Sequence, residues 1–234
     1  MTHYSKPVGV SILTNGNRLS NLQTCLGSFL SNCYYRPVEI GIFDNGSTDG
    51  TAEWIQNWIG SNHPWKYGVT WRSELSLVDL GCAEGTNRSI EMMSEFEFQV
   101  HLESDFVHLP ESNSGIGKLW LRDAVGLLDE GLADYIYLRR MRSEQEAAMH
   151  WFPQWKDKIR EDRGPFKRCE GFWWSNNPSV FRTKAMYDCK TLPLNSKIDG
   201  SKGTSNWSRP ELETPRPNKT WMWGYGEGMF VHEG

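Results

Sequence analysis

The chain opens on a short apolar run, Val8–Leu13, closed by the polar turn Thr14-Asn15-Gly16-Asn17. Length and bounding residues make it a buried strand. Leu19, Leu22, Leu26, Phe29 and Leu30 then recur at helical spacing. A second apolar strand, Val38–Phe43, follows Pro37 and ends in the polar turn Asp44-Asn45-Gly46-Ser47-Thr48-Asp49-Gly50. Asp49 or Ser47 is placed to cap a helix over Thr51–Ile59. Tyr67–Trp71 reads as a third strand, Glu84–Met93 as a helix and Glu97–Leu102 as a fourth strand. In that strand Phe96, Phe98, Val100 and Leu102 alternate with polar residues and lead into Glu103-Ser104-Asp105. Strands alternating with helices predict a mainly parallel open α/β sheet, whose ligands bind beyond the carboxyl ends of the strands. Asp44, Glu103 and Asp105 all fall at such ends, and two carboxylates one residue apart are hard oxygen ligands for a divalent cation.

The pattern loosens after Pro110. Ile116–Leu128 reads as a helix, Tyr135–Leu138 as a short strand, and Ser143–His150 as a further helical stretch. Residues Asn195–Lys219 are rich in Ser, Pro, Asn and Lys and predict a long loop, a feature that in compact domains is usually functional or disordered.

Composition narrows the function classes. A chain of 234 residues suits one domain, and no repeat or linker divides it. No apolar run reaches membrane-span length, and Met1-Thr-His-Tyr-Ser-Lys-Pro lacks the apolar core of a signal peptide. The expectation is a soluble protein of the cytoplasm, its own or a host cell's. The net charge of −4 and dispersed basic residues argue against a nucleic-acid groove. The five cysteines (Cys25, Cys33, Cys82, Cys169, Cys189) lack C-x-x-C spacing and read as reduced structural thiols. Twelve tryptophans are the outlier, many of them late, among Gly, Pro and Asn, where they suit sugar stacking as well as core packing.

Three segments together carry a family resemblance. Pro7–Asn15, Glu39–Thr51 (E-I-G-I-F-D-N-G-S-T-D-G-T) and Leu80–Asn87 (L-G-C-A-E-G-T-N) resemble, in order and spacing, the opening of GT-A fold glycosyltransferases of the family 2 type. The third has a form frequent in rhamnosyltransferase-like members, and Glu103-Ser104-Asp105 falls where that family carries its D-x-D motif. The resemblance implies a single GT-A, Rossmann-like domain, with residues 1–110 binding the nucleotide sugar and 111–234 the acceptor. It implies that Asp44 accepts from the nucleobase with Thr14 nearby, and that Gly81 and Asn87 shape the donor loop. Glu103 would touch the ribose, or the metal through water, and Asp105 would bind the metal that bridges the diphosphate. Two departures stand out: the first acid is Glu103 rather than Asp, and Thr86 occupies a position often held by Arg, with Arg88 close by.

Near the end, Trp221-Met-Trp223-Gly-Tyr225-Gly-Glu227-Gly resembles the W-G-W-G-x-E segment of GT-A galactosyltransferases. By that resemblance Glu227 is the base, Trp223 and Tyr225 meet the acceptor, and His232 completes the metal's coordination. Imidazole, carboxylate and diphosphate oxygens suit Mn²⁺, and Mg²⁺ less well. Glu170 and Asp162 are rivals to Glu227, and Trp173, Trp174 and Asn176 are further acceptor candidates. His101 and His108 flank the acidic triplet, and alternation turns both away from it. Lys66, Arg139, Arg140 and Arg142 are basic residues that either reach phosphate or lie on solvated faces.

The expected activity is metal-dependent, inverting transfer of a sugar from a UDP- or dTDP-sugar to a glycan hydroxyl, with neither a nucleic-acid partner nor a membrane span. A sugar nucleotidyltransferase would want a phosphate loop after the first strand, which Thr14-Asn15-Gly16-Asn17-Arg18 matches poorly. A carbohydrate-binding module would use the tryptophans but leave Asp44, Glu103 and Asp105 without purpose. A dehydrogenase is disfavoured because no G-x-G-x-x-G follows the first strand.

Overall fold

The structure is a computed structural model that describes residues 6–61, 68–110, 117–140, 159–163, 166–169, 178–188, 222–225 and 228–233. Its first half alternates strand and helix: β1 (Val8–Thr14), α1 (Leu19–Asn32), β2 (Val38–Asn45), α2 (Thr51–Ser61), β3 (Val69–Ser76), α3 (Cys82–Glu91) and β4 (Phe98–Glu103). There follow β5 (Phe106–His108), α4 (Trp120–Asp129), β6 (Tyr135–Tyr137), β7 (Ile159–Arg163), β8 (Phe166–Cys169), β9 (Ser179–Arg182), α5 (Thr183–Asp188), β10 (Met222–Tyr225) and β11 (Phe230–His232).

The fold is α/β, a central sheet flanked by helices, as the alternation predicts. The described strands form one sheet in the order β3-β2-β1-β4-β9-β6-β10-β8-β7, with β11 and β5 paired apart from it. β3, β2, β1 and β4 are all parallel. From β4 onward the pairing turns mixed: β9 runs antiparallel to β4 and β6, β10 is parallel to β6, and β8 and β7 close the edge antiparallel.

Every residue of β1 is buried, as a central strand covered on both faces requires. Val8, Val10 and Ile12 share one core with Leu22, Leu26 and Phe29 of α1 and with Leu121, Ala124 and Leu128 of α4. The alternate residues face the other way, where α3 packs on β1 and β2. There a Cβ on Gly9 would collide with the Phe96 ring and Met93 Cβ, whereas one on Gly41 would meet only the flexible ends of Met92 and Met93.

The observed boundaries differ from the sequence pattern in instructive ways. β2 continues through Asp44 and Asn45, because both remain paired with β3, at Leu75 and Ser76. β3 starts at Val69 and runs on through Arg72 and Glu74, polar residues that a hydrophobic criterion discards and an edge strand tolerates. α3 begins two residues before Glu84. The helical stretch at 143–150 and the loop at 195–219 lie outside the described residues.

Candidate active site

The strand order puts β2 and β3 on one side of β1 and β4 on the other. Connections therefore diverge between β1 and β4, and the crevice beyond the carboxyl ends of those strands is the switch point where open α/β sheets bind ligands. A hydrogen bond from Ser104 N to Leu13 O, 2.8 Å, ties the two strand ends together there.

On one flank of the crevice, Thr14 and Asp44 are register partners at the ends of β1 and β2. Both side chains are buried. Asp44 Oδ1 accepts from Ser47 N at 3.4 Å, whereas Asp44 Oδ2 and Thr14 Oγ1 meet no hydrogen-bond partner among the described residues. Burial pushes the Asp44 carboxyl up, and its bonds to Ser47 offset only part of that effect. A buried carboxylate oxygen and a hydroxyl on its register partner, both without partners among the described residues, can accept from or donate to a polar group outside the chain.

Asn45 then fixes the loop between β3 and α3. Its Nδ2 donates to Asp79 Oδ1 at 3.0 Å and to Gly81 O at 3.3 Å, while its Oδ1 accepts from Leu80 N at 2.9 Å. Gly46 (φ 77°) lets the strand end touch the backbone of Val78 and Asp79, where a Cβ would not fit. Gly81 (φ 81°) starts α3, and Asn87 lies partly buried on that helix.

Across the crevice, Glu103 ends β4 and Asp105 follows it, buried. Asp105 Oδ2 is shared by two nitrogen groups: Arg18 Nη1 pairs with it, and His232 Nε2 lies 3.2 Å away. Asp105 Oδ1 is buried and unpartnered. Burial raises this carboxyl, but bonding to His232 and the charges of His232 and Arg18 prevail, leaving it below the ordinary carboxylate range. His232 arrives from a distance of 127 residues because β11 pairs antiparallel with β5, bringing His232 opposite Phe106. Glu233 N donates to Asp105 O at 2.9 Å, and the His232 ring stands edge-on to Phe106 at 5.2 Å. Beyond Phe106 lies the guanidinium of the buried Arg139, 5.3 Å from its ring centre.

His101 and His108 point elsewhere. His101 Nδ1 bonds with Ser11 Oγ at 3.0 Å, and His108 stacks on Phe230 at 4.6 Å. Burial pushes them down to about 4 and about 3, so both imidazoles are neutral. Burial likewise holds the Cys25 and Cys33 thiols protonated, raising them to about 12 and about 11. Arg88 pairs with Glu74 at 3.3 Å on the surface. Trp223 and Tyr225 lie on β10. Glu227, Glu170, Trp173, Trp174, Asn176, Lys66 and Arg142 lie outside the described residues. Sequence reasoning missed Arg18 as a partner of Asp105; its signal was the basic residue directly after the turn that ends β1, the strand beside β4.

Comparison with known proteins agrees with this layout. Residues 12–71 match the model of glycosyl transferase family 2, about a quarter of the chain, spanning β1 to the start of β3. No match was found among curated protein sequences. Staphylococcus aureus TarS (residues 1–349, with UDP) superimposes with a TM-score of 0.57 at 14% identity, covering 96% of this chain and 60% of that one. The mannosyltransferase PcManGT of Pyrobaculum calidifontis, with GDP-Man and Mn²⁺, gives 0.57 at 16% identity over 82% of this chain and 49% of that one. GalNAc-T7, with UDP, GalNAc and Mn²⁺, gives 0.60 at 10% identity over 99% and 44%. The chain thus has the GT-A fold, and its residues 12–71 are similar to glycosyl transferase family 2. It spans about half the length of these structures. Among the described residues no helix is long and apolar enough to cross a membrane.

Proposed function

We propose that the chain forms one GT-A domain that transfers a sugar, with inversion, from a UDP- or dTDP-sugar to a glycan hydroxyl, using a divalent cation. The observation that carries this reading is the pair of buried acids at the switch point, each with one unpartnered oxygen: Asp44 on one flank and Asp105 on the other. Base and diphosphate are the two parts of a nucleotide sugar that need such separate anchors.

In this reading Asp44 accepts from a base N–H and Thr14 Oγ1 offers a hydroxyl beside it. Gly81 and Asn87 shape the loop and helix start that Asn45 fixes, and Glu103 meets the ribose. Asp105 and His232 are the cation's protein ligands. Among the described residues no group of three or more His, Cys, Asp or Glu forms a closed metal cage. Two protein ligands with an unpartnered carboxylate oxygen suit an open site completed by diphosphate oxygens and water. When bound, Mn²⁺ or Mg²⁺ supplies positive charge that neutralises the diphosphate as it departs. The acceptor oxygen bonds to the anomeric carbon, the carbon–oxygen bond to the diphosphate breaks, and the acceptor proton passes to a carboxylate, for which Glu227 is our candidate. Trp173, Trp174, Trp223 and Tyr225 are the proposed acceptor platform. Structures of similar fold holding UDP or GDP-Man, two of them with Mn²⁺, support the donor class and the cation.

Calorimetric titration of UDP, dTDP and GDP with and without Mn²⁺, on wild type and Asp105→Ala, tests this. We expect Mn²⁺-dependent binding of UDP or dTDP that the substitution abolishes. Absence of binding to every nucleotide in the presence of Mn²⁺ would overturn the reading.

A further inference from the structure

Arg18 occupies the residue before α1, the N-cap position, yet its side chain caps nothing. A helix start favours Ser, Thr, Asp or Asn there, and its dipole disfavours a cation. No acidic residue in the first turn of α1 compensates. The N–H of Leu19 is satisfied instead from the neighbouring loop, by Asp49 Oδ2 at 3.2 Å. Arg18 accepts the first helical bond, from Leu22 N, through its carbonyl at 3.0 Å, but its side chain gives the helix nothing, and its guanidinium points across the crevice to Asp105.

Its placement is fixed on both sides. Gly16 (φ 62°) and Asn17 (φ 64°) take successive left-handed conformations that turn the chain back after β1. Asn17 Oδ1 is held by Thr48 N and Thr48 Oγ1, each at 3.1 Å. The residues before and after Arg18 are thus anchored to the loop that follows Asp44. The arginine itself uses Nη1 on a single carboxylate oxygen, and its side chain is 36% exposed. Guanidinium is a planar fork suited to two parallel bonds with a carboxylate or phosphate group, and this pairing uses it at one point.

We infer that Arg18 is a resident counter-cation of the donor site: it holds Asp105 in the metal-free protein, yields that carboxylate to the divalent cation, and then takes the donor's diphosphate oxygens. The inference rests on the reading of Asp105 as a cation ligand. A dication and a guanidinium repel, so both cannot share Asp105 Oδ2. His232 is fixed by strand pairing, whereas Arg18 is a long, part-exposed side chain free to swing. The nearest new anion in the crevice is the diphosphate. Cation alone must displace Arg18, while cation with diphosphate gives Arg18 a new partner. The two ligands consequently bind with positive coupling, and the coupling is reciprocal.

The test measures free Mn²⁺ by electron paramagnetic resonance on the full chain, with and without UDP. It compares wild type with Arg18→Ser, which supplies a proper N-cap, and Arg18→Gln, with thermal melts to confirm folding. Without nucleotide, both variants are expected to bind Mn²⁺ about tenfold tighter than wild type. With Mn²⁺ present, they should bind UDP about tenfold more weakly while uridine affinity is unchanged. Unchanged or weaker Mn²⁺ binding in both folded variants overturns the inference. An Asp105→Ala control that keeps wild-type Mn²⁺ binding overturns the underlying cation-ligand reading instead, and so separates the two failures.

Discussion

Asp44 and Asp105 stand on opposite flanks of one crevice, both buried, Asp44 near the end of β2 and Asp105 just after β4, and their electrostatics are opposite. Among the described residues Asp44 keeps an unpartnered oxygen, with Thr14 as its register partner, and its carboxyl is pushed up by burial. Asp105 lies equally deep, but Arg18 and His232 hold it down. In the proposed function this difference separates what each carboxylate would meet. A buried acid raised by desolvation suits a hydrogen-bond donor on a neutral base. A buried acid with an exchangeable cation suits charge, and the crevice between the two matches a molecule neutral at one end and anionic at the other.

The largest effect should come from the charged side. Asp105→Asn keeps the shape and removes the charge, and is expected to lower Mn²⁺-dependent nucleotide binding by at least about 100-fold, since a metal ligand and its coupled diphosphate contact go together. Nucleoside binding without Mn²⁺ should change little. Calorimetry with UDP and with uridine separates the two, and equal losses for both ligands would erase the proposed division of labour.

Acid should also weaken the Asp105 side first. His101 on β4, the strand that leads to Asp105, and His108 on β5 are neutral in the fold, lowered from 6.5 to about 4 and about 3. A histidine whose folded pKa is depressed contributes full stability above its unfolded value. That stability falls as pH drops from about 6.5 toward the folded value, because only the unfolded chain takes up the proton. For His101 alone the loss is about 3 kcal/mol at the acid end of that window. His108→Phe fits the stack on Phe230 and the edge contact with Trp120 at 5.6 Å, so it should flatten the decline. Urea melts at pH 7 and pH 4.5 measure this; an equally steep decline in the variant would count against the buried imidazole as its cause.

Much of this contrast was legible in the sequence, and the reason is local. Strand period, turn residues and the position of Asp44, Glu103 and Asp105 after apolar runs follow from interactions within a few residues. The parallel half accordingly appears where its pattern predicts. The antiparallel strands beyond β4 are as short as three or four residues and depend on distant partners, so no local period announces β9 or β11. The meeting of His232 with Asp105 required a family pattern to anticipate, because only the pairing of β11 with β5 creates it. Arg18 escaped notice since its partner lies 87 residues away and its own surroundings read as an ordinary turn.

The two flanks are joined by one exposed acid, and breaking that joint should affect both. Asp49 Oδ1 accepts from Thr51 N at 3.2 Å and from Thr51 Oγ1 at 2.5 Å at the start of α2, while Oδ2 accepts from Leu19 N at the start of α1. These bonds, Thr51 Oγ1 first, hold the Asp49 carboxyl below its usual range. A depressed acid stabilises the fold above its unfolded pKa and loses that contribution as pH falls through the folded value. Asp49→Ala removes caps from two helices and is expected to cost about 2 kcal/mol at neutral pH. Chemical denaturation at pH 7 checks it, and a loss confined to a few tenths would mean that water replaces the side chain at both helix starts.

The smallest effect is the one with the more informative sign. Asp44 is raised in the fold, so its ionised form opposes folding: stability is greatest below the unfolded pKa and declines as pH rises through the raised folded value. Asp44→Asn removes the buried charge and should stabilise the ligand-free protein by about 1 kcal/mol at pH 7, the order of one buried polar group's desolvation penalty. The same substitution replaces an acceptor by an amide, so uridine or thymidine affinity should fall about tenfold, the order expected for one hydrogen bond to a charged group. Denaturant melts and calorimetry on the same variant read both quantities. A gain in stability with a loss of base binding marks Asp44 as a residue kept for its ligand at the expense of the fold. A loss of stability would instead show that Asp44 serves the strand end through Ser47, and would remove the contrast with Asp105 from which the base-binding assignment is drawn.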